Sequence, residues 1–141
     1  MTYEFTLRGH VPGKKNRLIP RGRGAHGKGF ANNPEVQAWI NGLVLQAKSK
    51  WHDAPVTNCS VVAAFFLQTT APTLGSDLDG KLTTLLDVLV PTSVLNDDRL
   101  KYVRHIEAIG VIGYDEDSVT VYVNSDPEDE IQVRLYQLRA A

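Results

Sequence analysis

Residues 56–68 read Val-Thr-Asn-Cys-Ser-Val-Val-Ala-Ala-Phe-Phe-Leu-Gln, β-branched and aromatic with an unbroken apolar middle. A run of this kind has no polar face to offer water, so it predicts a long strand in the interior of a sheet. The rest of the chain must cover it. Residues 34–50 provide one cover: Asn33 stands where a helix is capped, Pro34 suits the first helical position and Glu35 the first turn. Val36, Trp39, Ile40, Leu43, Val44 and Ala47 then recur at the spacing of a single buried face. A second helix is expected from Asp77 or Asp79 to about residue 89, with Leu78, Leu82, Leu85, Leu86 and Leu89 as its stripe and Pro91 as its stop.

Residues 3–8 alternate, with Tyr3, Phe5 and Leu7 on one side and Glu4, Thr6 and Arg8 on the other, and predict a further strand. Residues 99–109, 118–124 and 130–138 predict three more. At 141 residues the chain makes one domain. Short connections between the last strands favour an α+β fold, a mixed β-sheet with two main helices packed on one side of it. Between residues 10 and 29 glycine and proline are too frequent for a regular element, which predicts a flexible loop.

That loop is basic. From Arg8 to Lys28 there are seven Lys or Arg (Arg8, Lys14, Lys15, Arg17, Arg21, Arg23 and Lys28) and no acid, whereas seven acids follow Tyr114. The net charge of −1 excludes a uniformly basic nucleic-acid binder, but the polarisation suits one face that meets a polyanion. Lys14, Lys15, Arg17, Arg21, Arg23 and Lys28 are the expected contacts to a phosphate backbone, a solvated loop being the plainer alternative. The Gly-Lys-Gly at 27–29 lacks the spacing and the Ser or Thr of a P-loop. No apolar run is long enough for a membrane span, and no secretion signal opens the chain, so a cytoplasmic location is expected. The single cysteine, Cys59, excludes an internal disulfide and a multi-Cys zinc site, and the four histidines lack metal-ligand spacing.

The remaining chemistry lies in aspartates. Asp77 and Asp79 stand at the mouth of the second expected helix, and Asp97 and Asp98 follow its far end in a turn signal. One acid satisfies the positive end of a helix, so the others invite a second explanation. Gathered together they would repel unless a cation joined them, and oxygen ligands without His or Cys favour Mg²⁺ or Mn²⁺. The alternative is that they are ordinary capping and turn residues. An EF-hand frame fails, because placing Gly80 at its sixth position puts Leu86 where the bidentate Glu belongs.

The order Asp77-Leu78-Asp79, Asp87 and Asp97-Asp98-Arg99, preceded by Pro12-Gly-Lys-Lys-Asn-Arg17, resembles the RusA family of Holliday-junction resolvases over about residues 3 to 110. Gly80 stands where that family has Asn, and Thr83 where it has Lys. The resemblance implies a homodimeric, Mg²⁺-dependent endonuclease that nicks four-way DNA junctions symmetrically. Carried over to this sequence, it implies Asp77, Asp79 and Asp98 as metal ligands and catalytic residues with Asp97 beside them. The rival expectations are a junction-binding protein that does not cut and a small protein-interaction domain.

Overall fold

The computed structural model describes residues 1–13, 18–20, 30–32, 34–70 and 77–141. In chain order the elements are β1 (Thr2–Arg8), β2 (Leu18–Pro20), β3 (Phe30–Asn32), α1 (Pro34–Lys50), β4 (Cys59–Leu67), α2 (Leu78–Leu89), β5 (Val103–Ile112), β6 (Ser118–Asn124) and α3 (Pro127–Ala140). They form a single small α+β domain. The main sheet runs in the order β1-β6-β4-β5; β2, which falls within the segment expected as a loop, pairs with β3 just beyond it in a separate two-stranded sheet. β6 is antiparallel to both β1 and β4, whereas β4 and β5 are parallel. A parallel pair needs a crossover between its strands, and α2 is that crossover.

Alternation decides which face of the sheet is core. Val61, Ala63 and Phe65 of β4 stand in register with Val123, Val121 and Val119 of β6, and all six are fully buried. Leu7 extends this surface through β1. Leu43 and Ala47 of α1 and Leu85 and Leu89 of α2 cover it, so the two helices meet over one face as their stripes predict. Burying each of the Val, Leu and Phe side chains contributes roughly 1.5–3 kcal/mol, which makes this layer the main source of stability.

One expected element needs correction. Residues 130–138 are not a strand but most of α3. Its opening carries Pro127 with Glu128, Asp129 and Glu130 in the first turn, which favours a helix start. Ile131, Val133 and Leu135 nevertheless alternate, because this helix carries apolar residues on two sides, and the alternation imitates a strand. This third helix lies on the side of the sheet that the two main helices leave open. Glu130 of α3 accepts hydrogen bonds from Ser60 and, at 3.0 Å, from Asn124 Nδ2, on the face opposite the core. No helix among the described residues is long and apolar enough to cross a membrane.

Candidate functional site

The direction of α2 sets the geometry of the acids. Its first residue, Leu78, lies beside Gly110 and Leu67, at the C-terminal ends of β5 and β4. Beyond its last turn the chain closes on the other end of the sheet: Val56 N donates to Val94 O at 3.0 Å and Asn96 N to Val56 O at 3.1 Å. The amide of Cys59, which opens β4, donates at 2.9 Å to the carbonyl of Tyr102 just before β5. α2 therefore runs against the two parallel strands, and its ends are separated by about 18 Å. Asp77 and Asp79 lie at one end and Asp97 and Asp98 at the other. The structure does not bring the two pairs together within one chain. Among the described residues no group of three or more His, Cys, Asp or Glu is placed to hold a metal.

At the far end Asp97 has a local role. Its Oδ1 accepts from the Asp98 amide at 2.7 Å and the Arg99 amide at 3.3 Å, and its Oδ2 accepts from Arg99 Nε at 2.8 Å. Desolvation pushes its acidity the other way, but the two amides and the guanidinium outweigh it and hold the carboxyl below its ordinary value. This is an Asx turn with an ion pair across it, the role expected of a turn acid. Asp98 is exposed.

The near end differs. Asp77 occupies the N-cap position of α2 in extended conformation, yet its carboxylate makes no capping hydrogen bond. Asp79 Oδ1 accepts from the Gly80 amide at 2.9 Å, and both acids are exposed. Two residues on, Lys81 turns inward. Only 1% of it is exposed, and its Nζ donates to Val11 O at 2.8 Å. Burial lowers its pKa from the ordinary lysine value, an effect partly offset by the charge of Asp117. Asp117, 4% exposed, accepts from the Gln68 amide and lies 2.8 Å from His10 Nδ1, while its backbone carbonyl takes the amide of Gly9. Gly9 has φ +115°, a turn at which an L side chain would be strained. The His10 ring packs edge-on against Trp39, 4.6 Å between centroids. Four segments thus converge on one buried polar cluster.

That cluster ties residues 9–13 to the first turn of α2 and to the β5–β6 connection. Lys14, Lys15, Arg17, Arg21, Arg23 and Lys28 lie outside the described residues, as does Asn33, but the segment they belong to departs from this end of the sheet. Thr83 returns its hydroxyl to Asp79 O at 2.9 Å, and Asp87 faces outward. Cys59 is buried, and desolvation pushes its thiol up to about 11, which suits a core residue and not a nucleophile.

Sequence reasoning missed Lys81, Asp117 and His10 as a group. Asp117 closes an acidic run that reads as solvated surface, and only its contacts distinguish it from Asp115 and Glu116. As a donor set, the four aspartates of one chain do not fit a single cation. In donor chemistry Asp77 and Asp79 are of the type that Mg²⁺ takes, commonly one or two carboxylates with water and substrate phosphate oxygens completing the shell. No family model matches the chain, and no curated protein matches it either.

Proposed function

We propose that this chain is a structure-specific endodeoxyribonuclease for branched DNA, resolving four-way junctions by paired nicks as a two-fold homodimer with Mg²⁺ or Mn²⁺, in the manner of the resolvases it resembles. The observation that carries the reading is the placement of Asp77 and Asp79 at the same end of the domain as the root of the basic segment, to which Lys81 binds through Val11. Asp77 and Asp79 would hold the ion. Bound there, it would supply Lewis-acid stabilisation of charge on the scissile phosphate and a more acidic water. The chain's own contribution is orientation: the positive end of the α2 dipole favours a phosphate, and the basic segment would take flanking phosphates without reading sequence. Asp97 and Asp98 belong to this site only if a second copy brings them to it.

Asp79→Asn tests the reading. Cleavage of a four-way junction should fall roughly 100-fold or more while junction binding persists or tightens, because a negative charge next to phosphate is removed. Undiminished cleavage would refute it. Asp98→Asn should leave cleavage intact if each chain works with its own acids. If Asp98 acts across a dimer, that variant is inactive alone and mixing it with Asp79→Asn restores one working site per dimer. A second reading, a junction binder that does not cut, is favoured by the local turn role of Asp97; it predicts a retarded junction and no nicks with either metal.

A further inference from the structure

The imidazole of His10 is held at one nitrogen and not at the other. Asp117 is 4% exposed, and its two oxygens are placed, Oδ1 on the Gln68 amide at 2.8 Å and Oδ2 at 2.8 Å from His10 Nδ1. An ionised carboxylate only accepts, so Nδ1 carries the ring hydrogen and the tautomer is fixed. Trp39 of α1 packs edge-on against the ring and steadies its plane. The other nitrogen, Nε2, has no hydrogen-bond partner among the described residues, and it is not one of the buried polar atoms left unpaired there. The side chain is 13% exposed, and Nε2 is the ring atom open to a ligand.

Position gives that atom a use. Val11, the next residue, is bound by Lys81 in the first turn of α2, and the basic segment continues at Lys14. The charged groups of the cluster among the described residues are Asp117, from the β5–β6 connection, and Lys81 of α2, whose charges oppose; α1 contributes the uncharged Trp39. A second proton on the imidazole therefore leaves the cluster net positive, at the end of the domain that already carries the positive end of the α2 dipole. We infer that His10 binds a backbone phosphate of the DNA through Nε2, and that it does so only while the ring carries both protons. In the neutral ring of fixed tautomer Nε2 is an acceptor and repels a phosphate oxygen; in the imidazolium it donates a charge-assisted hydrogen bond. The proton belongs to the bound form, so junction affinity falls as pH rises through the range in which histidine titrates.

This contact takes its ligand from the nuclease reading above and rests on it, but its test needs no cleavage. Titration of the full chain with a four-way junction in the presence of a chelator, at fixed salt from about pH 5.5 to about pH 8, reads binding alone. His10→Gln should bind about 10-fold more weakly than the wild type at the acid end, and the gap should close at the other. His10→Lys, whose charge does not titrate in this range, should hold the acid-end affinity throughout, which repair of a merely structural contact would not do. In the wild type itself the salt dependence of binding should be steeper at the acid end by about 0.9 in log-log slope, one phosphate contact more. Parallel pH curves for wild type and His10→Gln, salt slopes equal at both ends, or no junction affinity at low salt would each overturn the assignment. Junction cleavage together with parallel curves would sink the role of His10 alone, and a pH-linked contact that depends on His10 without any nicking would sink only the nuclease reading.

Discussion

The two ends of α2 carry the same residue type and use it in opposite ways. At the C-terminal end the chain is closed by bonds between near neighbours: Thr92 Oγ1 returns to Val88 O at 2.7 Å, Val94 N to Leu89 O at 3.0 Å, and Asp97 to its own turn. At the N-terminal end Asp79 likewise takes the amide of the next residue, Gly80, but two residues on Lys81 is buried on Val11, and Asp117 lies buried between His10 and Gln68, so distant parts of the chain meet there. An aspartate whose oxygens are held by the next two amides has little left for a ligand. The difference teaches that a tally of carboxylates along the sequence overstates how many of them the fold can gather in one place.

The largest effect that could break this contrast is on stability. Asp117→Ala removes the charge that favours a protonated Lys81 and the acceptor of the Gln68 amide in a closed interior, and it should cost about 3–5 kcal/mol in urea unfolding. A cost near zero would mean that the cluster is not a buried network. The pH dependence sharpens the same point. Because burial lowers the pKa of Lys81 in the folded chain, the folded form sheds that proton before the unfolded one does. In the window from that lowered value up to the ordinary lysine value of 10.5 the unfolded state binds more protons, so the contribution of Lys81 to stability rises with pH. Below the window the penalty for the buried charge is constant. Denaturation of the wild type and of Lys81→Met across alkaline pH should therefore show the wild type gaining on the variant, with a slope of at most about 1.4 kcal/mol per pH unit; parallel curves would place Lys81 in contact with water. The smallest effect belongs to the other end: Asp97→Ala should move the melting temperature by less than about 3 °C, since the bonds it removes lie at an exposed turn. A larger loss would make that turn a structural centre and erase the contrast.

Much of the architecture was legible before any coordinates. β1, α1, β6 and the extent of α2 follow from periodicities contained within a dozen residues, and β4 from an apolar run that admits no other place. α3 was hidden although its Pro127 and first-turn acids repeat the signal that opens α1, because two apolar faces on one helix imitate a strand's alternation. Of the candidate site, the order of the aspartates and the polarity of the basic segment were on the sequence, while the burial of Lys81 against Val11 was not.

By itself the sequence determined the local elements and the residues able to take part in chemistry, since helix stripes, caps and turns are settled by near neighbours. Which aspartates share an end of the molecule was decided by tertiary structure alone. The parallel pairing of β4 and β5 compels α2 to run back along the sheet, and a rigid helix of twelve residues then holds its two ends, and the acids at each, apart.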